Sequence, residues 1–475
     1  MMTTDVCVVG GGPAGSVLAT RLAQLGHDVC LLERARFPRP HLGESLSPGV
    51  RALLASVGAE WTLDEAGARP VARVRRRWGA SESAREDPRA EGRVVDRGRL
   101  DTGLLAHARS HGVRVWQPAT LTGQRRLATG GWALGVSAVG ASATSLRARM
   151  LVVATGRAQG GMARVRHAGD GPRTLALYAR WTGTGLPDDP GIESMDEGWC
   201  WGVPIPGVGY NALVFVDAEL VRGGGRDRIE ACYADVMSRS TVVAPGTGAT
   251  RTGRVHVADA TPMMSATCVD DDYLRVGDAA LALDPLSSSG VQKAVQNALA
   301  GAVVANTMLR RPEAADDAMS CFRDQVRGAA ERHAAWASAH YAEVAALWPD
   351  RPFWTARAGA AANASPLPTA AAACVPVTPD TPLVLSPLVS LRQIPCLEEE
   401  FVTRRAALHH PALETPVAFV GGRAVATLLG ALPDAPTADA LVRQWGLGVA
   451  DGRAIARWFV THGILVPRAN RAVAE

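Results

Sequence analysis

Lysine is almost absent from this sequence: Lys293 is the only one among 475 residues, and arginine supplies nearly all of the positive charge. The formal net charge is +4, and the arginines are spread along the chain without a dense basic block. Proteins that bind nucleic acid usually concentrate basic residues on one element or one face. The sequence therefore gives no electrostatic indication of a nucleic-acid partner.

Paired cysteines and long apolar runs are also missing. The eight cysteines are scattered singly, without a C-x-x-C pair or the spacing of a zinc site, so we expect no metal centre and a reducing compartment. The first residues already form an apolar strand rather than a signal peptide, and no apolar run is long enough to span a bilayer. We therefore expect a cytoplasmic protein without a membrane partner.

A glycine-rich turn lies near the start of the chain, between a short apolar run at residues 6–9 and a predicted helix over residues 16–25. Gly10 permits a tight turn, Gly12 lets the backbone approach a pyrophosphate, and Gly15 lets the helix pack on the strand. A helix N-terminus presents free N–H groups and a positive dipole to phosphates. The pattern predicts a dinucleotide site whose cofactor-binding residues include Gly10, Gly12, Pro13, Ala14 and Gly15.

A second predicted strand, residues 27–32, ends at Glu33 and Arg34. In a dinucleotide-binding βαβ unit, a carboxylate at the end of this strand binds the ribose hydroxyls. Strand, turn, helix, strand and acid follow one another in the order that this unit requires. We therefore predict that Glu33 and Arg34 contact the cofactor.

Three later segments decide between NAD and FAD. Residues 93–101 read RVVDRGRLD before a predicted helix over 102–110, residues 151–156 read LVVATG, and residues 274–291 include Gly277, Asp278, Gly290 and Val291. These segments resemble those of flavin hydroxylases, halogenases and geranylgeranyl reductases. The resemblance implies an α/β, glutathione-reductase-type Rossmann fold that binds FAD. It also implies that Arg97 contacts the dinucleotide, that Asp278 binds the ribityl chain, and that a helix from about residue 291 to residue 309 points at the flavin.

The segment FPRPHLGESL at residues 37–46 is similar to one in flavin-dependent halogenases and geranylgeranyl reductases. The resemblance implies cofactor contacts from Glu44 and Ser45, and it makes His41 a candidate base near the flavin. Pro285 lies in the loop that the same resemblance puts beside the isoalloxazine ring, so we predict a catalytic position there too. The alternative for residues 37–46 is a proline-bounded loop in which Ser45 caps a helix and His41 lies on the surface.

Two tryptophans occur in the stretch WCWGVP at residues 199–204, which resembles the W-x-W-x-I-P signature of flavin-dependent halogenases. Val203 stands where isoleucine is usual. The resemblance implies that Trp199 and Trp201 lie near the flavin and help to separate it from the organic substrate. Two tryptophans at positions i and i+2 of a strand share one face, so packing in the core is also a natural explanation, and both interpretations stay open.

Halogenation in this family needs a lysine that relays the oxidised halide, and the resemblance implies its position on the strand after the G-E-S segment. Residues 73–79 there read RVRRRWG, so the equivalent residue is Arg77, whereas Lys293 lies in another segment. A guanidinium stays protonated and cannot take the part of that amine. The sequence therefore argues against halogenation more strongly than the two tryptophans argue for it.

Oxygen insertion is the preferred chemistry. In flavin monooxygenases, reduced FAD and O₂ form a C4a-hydroperoxide that hydroxylates an electron-rich ring, here an indole or a phenol. The predicted catalytic residues are Trp199, Trp201, His41 and Pro285. Three alternatives stay open: a halogenase with a halide-dependent product, an ene reductase like the geranylgeranyl reductases, and a non-enzymatic FAD-binding protein.

The chain is too long for one compact core, so we expect two or three domains. The changes of pattern predict the first part of the FAD-binding domain over residues 1–160 and an inserted antiparallel β substrate domain over 161–270. The second part of the FAD-binding domain, with further helices, is predicted over 271–348. A linker rich in proline and alanine over 349–394 then leads to a winged-helix-like domain over 395–475.

The last segment resembles PqqD-like peptide-recognition modules in the order of its predicted helices. Peptide docking, a structural or dimerisation role and DNA binding stay open, although no basic recognition helix is visible. If this segment docks a peptide, the aromatic substrate is a tryptophan or tyrosine within a polypeptide, as for the flavoproteins that hydroxylate a protein tryptophan in tryptophylquinone biogenesis. No second glycine fingerprint is evident, so the resemblance implies electrons from NAD(P)H or from a partner flavin reductase.

Overall fold

The computed structural model describes residues 2–86, 92–138, 144–158, 171–359, 380–430 and 432–468. The chain divides into two compact units, residues 1–363 and residues 364–475. The first unit contains all the segments predicted to hold the flavin, and the predicted domain boundary at residues 160 and 161 lies outside the described residues. Among the described residues, every helix is too short or too polar to cross a lipid bilayer.

The described residues of the first unit form eight α-helices, and three of them begin at a proline or at a capping aspartate. The eight helices are α1 (Pro13–Gln24), α2 (Val50–Ala55), α3 (Trp61–Glu65), α4 (Arg97–Ser110), α5 (Gly225–Arg239), α6 (Gly290–Arg310), α7 (Ala315–Ala345) and α8 (Pro352–Ala358). Proline fits the first position of α1 because that position needs no N–H donor. The carboxylate of Asp96 accepts a hydrogen bond from Gly98 N at 2.8 Å. Because of this N-cap, α4 begins at Arg97 and not at residue 102 as predicted.

The described residues of the first unit form two large sheets, one three-stranded sheet and one two-stranded sheet. In chain order its strands are β1 (Met2–Val9), β2 (Val29–Leu32), β3 (Ser45–Leu46), β4 (Arg69–Pro70), β5 (Arg73–Trp78), β6 (Ser81–Glu86), β7 (Arg93–Val94), β8 (Arg114–Trp116), β9 (Ala119–Arg126), β10 (Trp132–Ala138), β11 (Thr144–Val153), β12 (Thr174–Gly183), β13 (Gly191–Met195), β14 (Gly198–Ile205), β15 (Gly209–Asp217), β16 (Ala249–Asp259), β17 (Met263–Met264), β18 (Val269–Asp270), β19 (Tyr273–Arg275) and β20 (Leu281–Ala282). The larger sheet holds the predicted cofactor segments, and the smaller one carries the two tryptophans.

The eight-stranded sheet has the order β18-β19-β11-β1-β2-β8, and β10 and β9 extend it from β11. Strand β1 pairs in parallel with both β2 and β11, with Val8 opposite Leu31 and Val152. The carboxyl ends of these parallel strands therefore meet at one edge, where a Rossmann-type sheet binds its ligand. Gly10 and Glu33 directly follow β1 and β2 at this edge, so the predicted α/β, Rossmann-type architecture is confirmed at this level.

The seven-stranded sheet has the order β16-β12-β15-β14-β13-β5-β6. Its pairs are antiparallel except β13 with β5, where Gly191 lies opposite Arg75 in parallel. The sequence placed the antiparallel sheet in residues 161–270 alone, but β5 and β6 come from the preceding segment. A parallel partner so distant along the chain leaves no local hydrophobic pattern, so the sequence could not predict it.

Helices cover both faces of the seven-stranded sheet. Successive residues of β15 alternate between two cores, with Val214 in the core formed with α5 and Phe215 in the core formed with α7 and α8. The α5 core also contains Tyr233, and the other core contains Tyr341 and Trp354. Strand β15 is therefore buried on both sides, which explains its nearly continuous apolar sequence.

Helix α8 lies within the predicted linker over residues 349–394. Its Phe353 and Trp354 are buried, and Trp354 donates a hydrogen bond from Nε1 to Met195 O at 2.9 Å. The ring of Trp354 also lies edge-on to Trp78, with centroids 5.4 Å apart. Residues 352–358 therefore pack in the first unit and are not an irregular connection, while residues 360–379 of the predicted linker lie outside the described residues.

The second unit has its own apolar core. Its elements are β21 (Leu383–Leu385), β22 (Ser390–Glu398), β23 (Phe401–His409), β24 (Phe419–Val420), β25 (Arg423–Ala424), α9 (Val425–Leu429), α10 (Ala438–Gln444), α11 (Val449–Thr461) and β26 (Leu465–Pro467). Leu383 of β21, Leu441 of α10 and Phe459 of α11 are buried together in this core. Helices are present in this segment as predicted, whereas the β22–β23 hairpin was not predicted because half of it fell in the expected linker.

Candidate functional site

The glycine-rich turn combines two tightly packed glycines with one that faces open space. A Cβ on Gly10 would lie 2.4 Å from Ala154 O, and a Cβ on Gly15 would lie 1.9 Å from Gly10 O. These two positions therefore exclude any larger residue. At Gly12 the nearest atom to a Cβ would be Arg39 Nη2, at 4.0 Å. The backbone at Gly12 is thus free to approach a ligand.

The carboxylate of Glu33 fixes this turn. Its Oε2 accepts a hydrogen bond from Gly11 N at 2.7 Å, and its Oε1 accepts one from Ala35 N at 2.7 Å. Each carboxylate oxygen has a second lone pair, so both can still accept a hydroxyl of a ribose. The side chain of Arg34 is exposed on the turn after β2, and its contact with a cofactor stays a prediction.

Arg97 supports the loop formed by residues 41–46. The guanidinium is buried, pairs with Asp101 at 3.0 Å, and donates from Nη1 to Leu42 O at 2.7 Å. Gly43 has a φ of +98°, and a Cβ there would lie 2.7 Å from Arg97 Nη1. Only glycine therefore allows the loop and the guanidinium to approach so closely. The predicted contact of Arg97 with the dinucleotide is a separate matter and stays a prediction.

Glu44 connects this loop to the seven-stranded sheet. Its Oε1 accepts a hydrogen bond from Asn211 Nδ2 of β15 at 3.0 Å, and its Oε2 accepts one from Gly43 N at 2.9 Å. The side chain is buried, and this burial raises the pKa of the Glu44 carboxyl in spite of both donors. The Oδ1 atom of Asn211 is buried without a hydrogen-bond partner among the described residues.

The two glycine motifs touch each other. A Cβ on Gly277 would lie 2.7 Å from Ala14 Cβ, and Gly277 N donates to Asn297 Oδ1 at 2.8 Å. Asp278 therefore lies directly beside the start of α1, and its side chain is 34% exposed, so part of the carboxylate remains accessible to a ligand. Its Oδ1 is 2.8 Å from Lys293 Nζ. Burial by itself would raise the pKa of Asp278, but the positive charges of Lys293, Arg157 and Arg97 together lower that pKa.

The loop after the second motif is held by a buried carboxylate. Asp284 accepts hydrogen bonds from Leu286 N at 3.0 Å and from the hydroxyl of Tyr341, which lies 3.0 and 3.1 Å from its two oxygens. Burial raises the pKa of Asp284 against these two donors. Pro285 is half-buried at the start of the short 3-10 turn that follows, and Ser288 ends the turn with a φ of +52°.

Helix α6 begins beside both loops. No side chain caps its N-terminus at Ser289, and no atom lies within 4 Å of a Cβ placed on Gly290. Val291 adjoins the loop at Gly43, and Ser47 donates to Gln292 Oε1 at 2.5 Å. The uncapped N–H groups of α6 are therefore available to an anion or a carbonyl group.

Trp199 and Trp201 lie on the same face of β14, as their spacing predicts. Trp199 stacks on Phe215 with ring centroids 3.8 Å apart, and Trp201 is half-buried in the same apolar cluster. Leu42 and Leu286 join this cluster from the two loops described above. The structure thus brings the predicted tryptophans together with the neighbours of His41 and Pro285, and we call this cluster the aromatic wall.

His41 itself is exposed. Its Nδ1 lies 2.8 Å from the carbonyl oxygen of the adjacent Leu42. Arg97, which supports the same loop, already donates hydrogen bonds to Asp101 and to Leu42 O. The function of His41 as a base therefore stays a prediction. In the structure His41 lies on the surface, as the alternative interpretation of this loop expects.

Arg77 lies on the side of β5 that faces away from the aromatic wall. It donates from Nη1 to Thr241 Oγ1 at 2.8 Å and pairs with Glu193 at 3.3 Å. Its neighbour Trp78 is buried in the cluster that contains Trp199. Successive side chains of a strand point to opposite faces. Arg77 therefore serves the ion pair with Glu193, and the sole lysine is held by Asp278.

Three residues of the site were not predicted. Arg39 adjoins Gly12 and its Nε is buried without a partner in the described part of the chain. Arg39 lies inside the segment 37–46, which was expected to contact the cofactor, so its positive charge could have identified it as a cofactor-binding candidate. Asn211 and Tyr341 come from a strand and a helix without any motif. Their contacts with Glu44 and Asp284 depend on the packing of distant elements and left no signal in the sequence.

Comparison with known proteins agrees with these features. The FAD binding domain family matches residues 3–168, and the tryptophan halogenase family matches residues 95–374. A tryptophan 2-halogenase from Chondromyces crocatus is 29% identical in an alignment of 330 residues that covers 65% of this chain and 62% of that protein. The match thus spans less than two thirds of that relative.

Two solved structures are similar over almost the whole chain. The peptidyl tryptophan dihydroxylase QhpG, essential for tryptophylquinone cofactor biogenesis, is 26% identical with a TM-score of 0.70, covering 97% of this chain and 99% of that one. The flavin-dependent halogenase CmlS is 20% identical with a TM-score of 0.77, covering 98% and 96%, and this likeness concerns the fold. The match to the tryptophan halogenase family covers more than half of the chain, and the match to the FAD binding domain family begins before it. This protein therefore belongs to the tryptophan halogenase family of FAD-dependent enzymes.

Proposed function

We propose that this protein is an FAD-dependent monooxygenase that hydroxylates an electron-rich aromatic ring, an indole or a phenol. The observation that carries the proposal is the aromatic wall, where Trp199 and Trp201 meet side chains from both loops that adjoin the flavin segments. Aromatic rings pack favourably on such a surface through stacked and edge contacts. The similarity to a peptidyl tryptophan dihydroxylase supports the same class of reaction.

The residues of the site fit FAD. The open space at Gly12 and the uncapped start of α1 suit a pyrophosphate. Glu33 keeps one acceptor lone pair on each oxygen for the ribose, and the half-open carboxylate of Asp278 suits the hydroxyls of the ribityl chain. When bound and reduced, FAD would supply the activation of O₂.

The protein's own side chains would hold the substrate ring and exclude water. Trp199 is fixed, since it is 2% exposed and stacked on Phe215. Trp201 is only half-buried, so part of its ring remains available to a substrate. An apolar wall next to the reacting centre keeps water from diverting the activated oxygen. The expected part of both tryptophans is therefore to orient the ring and keep the site dry.

Halogenation is the second candidate. Membership of the tryptophan halogenase family and the similarity to a tryptophan 2-halogenase support it as well as they support hydroxylation. Relay of an oxidised halide requires an amine that can lose a proton. The only lysine is buried and bound to Asp278, and Arg77 points away from the wall. We therefore infer that an oxygen atom and not a halogen is transferred.

The ring, we propose further, belongs to a tryptophan or tyrosine within a polypeptide. QhpG acts on a peptidyl tryptophan, and its similarity extends over 97% of this chain, which includes most of the second unit. In that unit a cavity of about 390 Å³ lies beside the β22–β23 hairpin. Its lining includes Leu388, Arg392, His409, His410 and Glu414. Under this proposal the second unit is a winged-helix-like module that docks the polypeptide.

The test is the product formed under competing conditions. FAD-loaded protein is reduced with dithionite without air, then mixed with isotope-labelled O₂ and bromide, together with tryptophan- and tyrosine-centred peptides or free L-tryptophan. We expect labelled oxygen on a peptide, in an amount independent of bromide. Bromine in the product would replace the proposal by halogenation, and oxygenation of free tryptophan alone would exclude the polypeptide substrate.

A further inference from the structure

Lys293 is the only lysine of the chain, and it is buried. Its side chain is 9% exposed in the first turn of α6. Burial of an ammonium is costly unless the charge is paired and hydrogen-bonded. The Nζ atom lies 2.8 Å from Asp278 Oδ1 and also donates to Leu281 O. Two specific contacts therefore hold this charge beside Asp278.

A second cation faces the same carboxylate. Arg157 Nε lies 3.9 Å from Asp278 Oδ2, and the guanidinium is anchored by hydrogen bonds to Thr261 O at 2.5 Å and Leu283 O at 3.1 Å. Two positive groups thus face one negative group. The other ionised residue that acts on Asp278 is Arg97, whose charge is already paired with Asp101. The local balance beside the cleft is one net positive charge.

The uncapped N-terminus of α6 adds positive potential at the same place, because Lys293 lies only one turn into that helix. From α7, His333 also faces this region, and its Nε2 donates a hydrogen bond to Asp284 O at 3.2 Å. Burial lowers the pKa of His333, so it adds no positive charge near neutral pH. Lys293 and Arg157 therefore together make this region positive, and Lys293 is the more buried of the two cations.

We propose that Lys293 raises the reduction potential of the FAD bound beside Asp278, as a residue that acts through the electrostatics of the site. Two-electron reduction of FAD by a donor such as a reduced nicotinamide takes up two electrons and one proton, so the flavin gains one negative charge. A fixed net positive charge stabilises this product more than the neutral oxidised ring. The proposal rests on the FAD-dependent function above and concerns how readily its cofactor is reduced.

The experiment compares Lys293→Gln, Lys293→Arg and Arg310→Gln as FAD-loaded full-length proteins. Arg310→Gln removes one positive charge from the exposed far end of the same helix and is the matched control. The midpoint potential is measured by titration with dithionite against a reference dye. We expect Lys293→Gln to weaken the preference for reduced over oxidised FAD about tenfold or more, which corresponds to about 30 mV for two electrons. Lys293→Arg should recover most of this loss, and Arg310→Gln should leave the potential unchanged.

A spectroscopic measurement on the unaltered protein covers the case in which Lys293→Gln does not fold. Since the chain has one lysine, incorporation of lysine labelled with the heavy nitrogen isotope gives a single Nζ signal. That signal should shift when the bound FAD is reduced. An unshifted signal, or an unchanged potential in Lys293→Gln, overturns the inference while FAD binding and oxygenation stand. A wild-type protein that binds no FAD would instead overturn the proposed function.

Discussion

The hydroxyl of Tyr341 donates to the carboxylate of Asp284, at 3.0 and 3.1 Å from its two oxygens, and both groups are buried. This contact joins α7 to the loop between the second FAD motif and α6, across 57 residues of sequence. The loop carries Pro285 and Leu286, and Leu286 belongs to the aromatic wall. The contact between Tyr341 and Asp284 therefore helps to position one side of the candidate site.

Removal of that hydroxyl should destabilise the protein. In Tyr341→Phe the buried Asp284 keeps Leu286 N but loses its other donor, so we expect a loss of about 1–3 kcal/mol in the free energy of unfolding. Urea denaturation at constant pH measures this loss. Tyr178→Phe is the control, because the Tyr178 hydroxyl has no hydrogen-bond partner in the described ranges. Equal losses in both variants would contradict the assigned contact.

The pH dependence of stability should also reflect Asp284. Burial raises its pKa in the folded state above the unfolded value of about 3.9, so folding favours the protonated acid. The resulting stabilisation is complete below about pH 3.9 and is lost as the pH rises through the raised folded-state pKa. Asp284→Asn cannot titrate, and its free energy of unfolding should vary less over that window. Asp316→Asn, at an exposed site on α7, should keep the wild-type profile.

Replacement of Gly12 by alanine should affect FAD binding, whereas replacement of Gly15 by alanine should affect folding. Gly12 has a φ of −71° and its nearest neighbour would be 4.0 Å from the new Cβ, so Gly12→Ala should fold normally. The methyl group would occupy the space expected for the pyrophosphate and weaken FAD binding about tenfold or more, or about 1.4 kcal/mol. Flavin fluorescence measures this affinity.

The contrast at Gly15 is structural. A Cβ there would lie 1.9 Å from Gly10 O, so Gly15→Ala should fail to fold or should lose the turn itself. Gly123→Ala is the neutral control, since no atom lies within 4 Å of its Cβ. Thermal unfolding of the FAD-free proteins separates the two effects. Unchanged FAD affinity in Gly12→Ala would show that the pyrophosphate does not bind beside Gly12.

The two tryptophans should separate stability from turnover. Trp199 is 2% exposed and stacked on Phe215, so Trp199→Ala should cost about 3–5 kcal/mol in the free energy of unfolding. Trp201 is half-buried, so Trp201→Phe should change stability by less than about 1 kcal/mol while lowering kcat/KM for the aromatic substrate. Wild-type kcat/KM in Trp201→Phe would assign that residue to packing alone.

Residues fixed by local geometry were predictable from the sequence. In the glycine-rich turn, Gly10 and Gly15 are required because a Cβ at either position would clash with nearby backbone atoms, and Glu33 accepts a hydrogen bond from the backbone of this turn. The starts of α1 and α6 likewise lie within a few residues of their predicted positions. The start of α4 was missed because the capping function of Asp96 was not recognised.

The sequence by itself thus determined the dinucleotide-binding turn, the Rossmann-type sheet and the shared face of Trp199 and Trp201, because strand periodicity and glycine sterics act over short distances. The choice of FAD came from the resemblance of later segments to flavin enzymes. Only the tertiary structure decided that β5 pairs with β13, so that Arg77 points away from the wall. It alone decided that Lys293 meets Asp278 and that Tyr341 meets Asp284. These contacts result from the burial of whole sheet faces under helices, where the partner of a polar group is set by packing and not by its neighbours in sequence.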